Sequence, residues 1–157
     1  MNTTTSLFKI ALIEDDNDDC ELFTLALKEV DHSIELRCYS NCVEFLRKIS
    51  VFSPDLIFLD LHLSQKHGFE CLTDMQTTSS ISNIPVIIYT GSNAHNGIMD
   101  NSIKLGAKVF FEKPGSYQEL ITTLKYIVSC DWNFPQNIQP LHIKDGNFTP
   151  ISDTLLD

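Results

Sequence analysis

The sequence predicts a doubly wound α/β fold built on a five-stranded parallel sheet. Five short apolar runs rich in β-branched or aromatic residues recur along the 157 residues, and each is followed by a stretch with helical spacing. The third and fourth runs are apolar almost throughout, as interior parallel strands covered on both faces should be.

The five strand candidates are Phe8 to Ile13, Ile34 to Tyr39, Leu56 to Leu59, Val86 to Tyr89 and Lys108 to Phe111. After the first, Asp16 or Asn17 can cap a helix that lines up Leu22, Phe23, Ala26, Leu27 and Val30 on one face. Ser40 is placed to cap a second helix with Val43, Leu46 and Ile49 inside, and Pro54 marks the turn into the third strand. The fourth helix, around Asn93 to Leu105, carries the weakest stripe, with Ala94, Ile98, Met99 and Ile103 to bury. The last helix repeats Tyr117, Leu120, Ile121, Leu124, Ile127 and Val128 up to about Cys130. From 131 to 157 the periodicity stops, and this segment reads as a C-terminal tail without an output domain, following a domain over 1–130.

Hydrophobic residues at 43% and charged residues at 20% are ordinary for one globular domain. The net charge of -10, with -3 on the tail and -7 on the body, argues against nucleic-acid binding, because a polyanion needs a basic face to displace its counterions. No run approaches a membrane span and the first nine residues lack an apolar leader core, so the expected location is the cytoplasm. Cys20, Cys38, Cys42, Cys71 and Cys130 form no CxxC pair, and their odd number favours reduced, mostly buried thiols over disulfides.

In an open parallel sheet, residues just past the carboxyl ends of the strands converge on the crevice where strand order reverses. Here the first strand ends in Glu14-Asp15, the third in Asp60, the fourth in Thr90 and the fifth in Lys113-Pro114. Three carboxylates at one edge repel one another unless a cation joins them, and an all-oxygen set with few protein ligands suits Mg²⁺ with retained waters. A lysine and a hydroxyl at the same edge supply a compact positive charge and a donor for phosphoryl oxygens.

Those residues at those strand ends resemble the receiver domain of bacterial two-component response regulators, over roughly Phe8 to Cys130. The matching segments are Ala11 to Asp15, Pro54 to Leu61, Gly68 with Phe69, Ile84 to Thr90, and Gly106-Ala107 leading to Glu112-Lys113-Pro114. The resemblance implies a flavodoxin-like sheet of order 2-1-3-4-5, and Asp60 as the acceptor that takes a phosphoryl group from the phosphohistidine of a sensor histidine kinase. Glu14, Asp15 and Asp60 would hold Mg²⁺, with the main-chain carbonyl of His62 as a further ligand. Thr90 and Lys113 would bind phosphoryl oxygens. Phe110 matches the family's inward-turning switch aromatic and lacks the hydroxyl of the common tyrosine. Lys113-Pro114 would carry a cis peptide. Ser64 stands where proline is usual and His67 where aspartate is common.

Taken by themselves, the carboxylates of Glu14 to Asp19 read more readily as a solvated helix start than as a metal site. An EF-hand is excluded, since counting from Asp15 puts Cys20 where glycine belongs and Ala26 where the bidentate glutamate belongs. His62 and His67, with no third nitrogen or sulfur ligand, are poor evidence for zinc and read as loop residues, while Asp16, Asn17, Asp18 and Asp19 read as cap and surface. The expected function is a single-domain response regulator of the layout linked to phytochrome kinases. It acts as a phosphoacceptor rather than an enzyme, with a tail that extends a homodimer interface or docks on a partner. A relay that passes the group to a histidine phosphotransfer protein, a phosphorylation-independent pseudo-receiver, and a phosphoaspartate hydrolase are the alternatives. The last is disfavoured because His62 stands where such a hydrolase has its second aspartate.

Overall fold

Strand β1 (Lys9–Ile13) runs parallel to β2 (Glu35–Tyr39) on one side and β3 (Leu56–Leu59) on the other, in a computed structural model that describes residues 8–65, 67–91 and 96–152. Beyond β3 lie β4 (Val86–Thr90) and β5 (Val109–Glu112), also parallel. The 2-1-3-4-5 core is therefore present, and every residue of β3, β4 and β5 is buried.

Alternation along β1 shows why the sheet needs cover on both sides. Ala11 and Ile13 enter one core with Phe45 of α2 (Cys42–Lys48), Leu72 of α3 (Gly68–Thr77) and Ile103 of α4 (Asn96–Lys104). Ile10 and Leu12 enter the other with Phe23 of α1 (Asn17–Val30) and Leu124 of α5 (Tyr117–Ser129). Successive strand side chains point to opposite faces, so each strand feeds both layers. In the second core Phe23 meets Phe58 and Tyr89 edge-on, at centroid distances of 4.9 and 5.4 Å.

Among the described residues the sheet has seven strands rather than five, in the order β2-β1-β3-β4-β5-β6-β7. The segment read as a tail returns to the sheet. Strand β6 (Leu141–Lys144) adds parallel to β5, and β7 (Asn147–Pro150) folds back antiparallel onto it. Helical periodicity had no signal to offer there, but a shorter one exists: Asp145 and Gly146 both have positive φ, 50° and 76°, as the two-residue turn of a tight hairpin requires. Ile143 and Ile151 are buried in the two cores, and the Trp132 indole donates to the Ile127 carbonyl at 2.7 Å. The 131–152 segment is thus part of the folded unit.

The helices bury most of the residues expected to face inward, with local exceptions. Asp16 caps α1 by accepting from the Asp19 amide, but Leu22 is exposed. For α2 the cap is Asn41, not Ser40; Leu46 and Ile49 pack on the core as expected, but Val43 is exposed and Cys42 and Phe45 are buried instead. Ala94, expected in the fourth helix, and Ser92 lie outside the described residues.

Two further expectations are overturned. Cys42 and Cys71 form a disulfide across 29 residues. Counting neighbouring cysteines could not reveal it, because the packing of α2 beside α3 brings the two Cα atoms to 5.8 Å, within bridging range. Cys38, in turn, is exposed rather than buried. The Lys113–Pro114 bond is trans. The amide of Lys113 donates to the Thr90 carbonyl at 2.7 Å, and this anchor directs the end of β5 so that the lysine reaches the crevice without a cis bond.

Candidate functional site

The carboxyl ends of β1, β3, β4 and β5 bring Glu14, Asp15, Asp60, Thr90 and Lys113 together in one cluster. Their placement follows from main-chain bonds: the Asp60 amide donates to the Ile13 carbonyl at 3.0 Å, and the Glu14 amide to the Tyr39 carbonyl at 2.9 Å. Gly68, at the start of α3, leans directly on this strand end. A Cβ there would lie 2.5 Å from the Leu61 Cα and 2.9 Å from the Asp60 carbonyl oxygen, so only glycine allows the close approach.

Asp60 is 3% exposed and fully engaged. Its Oδ1 accepts from the His62 amide at 3.0 Å and the Thr90 hydroxyl at 3.1 Å, and its Oδ2 from Lys113 Nζ at 3.1 Å. Burial works to raise its pKa, but the His62 N–H and the Lys113 charge outweigh burial, and the carboxyl is held below the ordinary range. Glu14 behaves in the opposite way. Burial dominates, the Lys113 hydrogen bond only partly offsets it, and the charge of Asp60 adds to it, so that its pKa is raised to about 7. The protonated Glu14 side chain can then donate to Asp60.

Glu14, Asp15 and Asp60 each place a carboxylate oxygen within 4.8 Å of the others, a hard-oxygen set of the kind a divalent cation joins. Asp15 is oriented by the Ser64 amide, which donates to its Oδ2 at 2.9 Å. The raised pKa of Glu14 is set first by burial, and the nearby charge of Asp60 adds to it.

Lys113 is held by three carboxylates at once: Glu14 at 2.6 Å, Asp19 at 2.7 Å and Asp60 at 3.1 Å. Burial alone would lower its pKa, but the bonds to Asp19 and Glu14 win and raise it. Asp19, read from the sequence as cap and surface, is thus a partner of the site lysine. The missed signal is helical: Asp19 lies in the first turn of α1, directly after the strand that delivers Glu14 and Asp15. The lysine also sits 5.4 Å from the centre of the Tyr89 ring.

Phe110 is buried among Ile88, Ile103 and Ile151, and its ring meets His142 of β6 edge-on at 5.8 Å. His142 is also paired with the buried Glu112, immediately before Lys113. His62 and His67 stay exposed, and His67 caps α3 by accepting from the Phe69 amide.

Residues 10–125 match the response regulator receiver domain family. The chain is 30% identical over 129 residues to the sensory transduction protein BceR of Halalkalibacterium halodurans, covering 82% of this chain and 53% of that protein. It is 26% identical to the regulatory protein VirG of Agrobacterium tumefaciens, covering 60% of this chain and 34% of that protein. It therefore spans about half or less of those relatives' length. Response regulator Rcp1 of Synechocystis is 29% identical over 127 residues, which cover 76% of this chain and 86% of Rcp1. Among solved structures, the Mn(2+)-bound form of Rcp1 superposes with a TM-score of 0.68 at 25% identity, over 78% of this chain and 92% of that one. The phosphorylated cyanobacterial phytochrome response regulator RcpA gives 0.69 at 27% identity, over 84% and 96%. That Rcp1 structure carries Mn²⁺, and Glu14, Asp15 and Asp60 here form an acidic cluster of a kind that can hold a divalent ion. The fold, the strand-end carboxylates and these matches lead to one conclusion: the chain belongs to the response regulator receiver domain family of two-component signalling.

Proposed function

We propose that the chain is a phosphoacceptor switch in which Asp60 takes a phosphoryl group from the phosphohistidine of a sensor histidine kinase in a Mg²⁺-dependent reaction. The observation that carries this reading is the environment of Asp60: a buried carboxylate kept ionised, with one oxygen bonded to Thr90 and the other to Lys113. An Asp60 oxygen attacks phosphorus while the P–N bond breaks toward the imidazole, which leaves an aspartyl phosphate.

Glu14, Asp15 and Asp60 would hold the metal, with the His62 main-chain carbonyl completing the set. When bound, Mg²⁺ neutralises charge on the phosphoryl oxygens. Thr90 and Lys113 hold the remaining phosphoryl oxygens, and the movement of Thr90 is relayed to Phe110. In this reading the chain is not an enzyme acting on a separate substrate. It catalyses only its own phosphorylation and dephosphorylation, in the cytoplasm. The match to Rcp1 over most of that protein's length supports a single-domain regulator whose output goes through a partner.

Acetyl phosphate with Mg²⁺ should add the mass of one phosphoryl group to the protein, and Asp60→Asn should abolish the addition. Acid-stable, base-labile phosphate on the Asp60→Asn protein would refute the assignment.

A further inference from the structure

The buried Glu112 bonds to nothing in the acceptor site, yet it stands between two residues that do. Across the sheet it is in register with Thr90 of β4, and the next residue along the chain is Lys113, whose amide donates to the Thr90 carbonyl at 2.7 Å. The side chains of Thr90 and Lys113 each bond the Asp60 carboxylate at 3.1 Å. On its other side Glu112 meets the C-terminal hairpin. His142 Nε2 lies 2.5 Å from Glu112 Oε2, and Lys144 Nζ lies 3.9 Å from Oε1, so its two ion-pair partners among the described residues both stand on β6. A carboxylate only accepts, so the imidazole is the donor. Alternation along β5 puts Phe110 and Glu112 on one sheet face, and His142, in register with Phe110, joins them there with its ring edge-on to Phe110 at 5.8 Å. A carboxylate that is 5% exposed is costly without a close partner, and the hairpin supplies that partner.

Resting on the reading of Asp60 as phosphoacceptor, we propose that His142 is a positioning residue of the acceptor site. By holding Glu112 it fixes the end of β5, and with it the placement of Lys113 and Thr90 around Asp60. The metal-binding carboxylates follow β1 and β3, whereas His142 contacts β5, so the two halves of the site depend on different parts of the fold. Removing the imidazole leaves Glu112 with Lys144 alone, at 3.9 Å, and the carboxylate then turns toward solvent and draws the strand end with it. Lys113, covalently next in line, is displaced first. The hairpin thereby becomes a control point, because a partner that lifts β6 from β5 slows phosphoryl transfer without touching the metal ligands. Coupling between two sites is reciprocal, so modification of Asp60, which draws on Lys113, is felt in turn at the His142 ring.

The test is phosphorylation of the full chain by acetyl phosphate, measured beside Mg²⁺ binding without a phosphoryl donor. His142→Leu keeps an apolar side chain against Phe110 but has no N–H. It should lower the maximal phosphorylation rate roughly tenfold, since a misplacement of about 1 Å can cost about a hundredfold, and leave Mg²⁺ affinity unchanged. His142→Gln, whose amide still donates, should recover most of the rate. In a Glu112→Gln background the His142→Leu change should have no further effect. In the wild type, beryllofluoride with Mg²⁺ should shift the His142 ring proton resonances. An unchanged rate in His142→Leu, a Mg²⁺ affinity that falls in step with the rate, a His142→Gln protein as slow as His142→Leu, or additive losses in the double variant would each overturn the proposal. So would His142 resonances that stay in place while a bound fluorine signal appears, a result that needs no variant to fold. A wild type that neither takes phosphate from acetyl phosphate nor binds beryllofluoride would overturn the phosphoacceptor reading, and the proposal with it.

Discussion

Lys113 Nζ lies 2.7 Å from the Asp19 carboxylate, nearer than to the 3.1 Å contact with Asp60. The lysine expected to serve the acceptor is thus shared with a helix-start carboxylate that draws it toward the rim. Its charge must be redistributed when Asp60 gains a phosphoryl group.

Asp19→Asn should release that competition. Asp19 is about a third exposed, so the pair is worth about 0.5–1 kcal/mol after screening. Acyl-phosphate formation from acetyl phosphate should accelerate roughly two- to fivefold. A slower variant would mean that Asp19 orients the lysine rather than withholding it.

Mg²⁺ affinity should depend on the proton of Glu14. Its pKa near 7 exceeds the ordinary 4.5, so the metal-free native state binds this proton more tightly than the unfolded chain does. The stability it contributes is full below about 4.5 and is lost as pH rises through 7. Bound Mg²⁺ must displace the proton, so affinity should rise by about tenfold per pH unit below 7 and level off above it. Titration calorimetry in buffers of different ionisation enthalpy would show about one proton released below pH 7. Asp15→Asn should remove most of the affinity at every pH.

Gly68→Ala tests the close approach of α3 to the acceptor strand. A methyl group 2.5 Å from the Leu61 Cα forces backbone movement, with an expected loss of about 1–3 kcal/mol in urea unfolding. Phosphorylation should slow as well, because the same contact involves the Asp60 carbonyl.

Ile143→Ala tests whether the C-terminal hairpin belongs to the cooperative unit. Ile143 is 1% exposed in the core with Phe111 and Leu124, so the substitution should cost about 2–4 kcal/mol. Trp132 is the single tryptophan and sits at the root of this segment, so its fluorescence and far-ultraviolet dichroism should report one coincident transition. An early, separate fluorescence transition would show that the hairpin melts independently.

The sequence by itself determined five parallel strands, both layers of helices, and the gathering of Glu14, Asp15, Asp60, Thr90 and Lys113, while the order 2-1-3-4-5 came from the resemblance to receiver domains. Strand alternation and helical spacing are local periodicities, and parallel topology carries every strand end to the same edge of the sheet. The tertiary structure decided the rest. The hairpin of Leu141–Lys144 and Asn147–Pro150 is too short to show in periodicity and depends on the open edge of β5 for its partner. The Cys42–Cys71 bridge and the hold of Asp19 on Lys113 join residues separated by 29 and 94 positions. No local pattern specifies such pairs, because they exist only once helices and strands have packed.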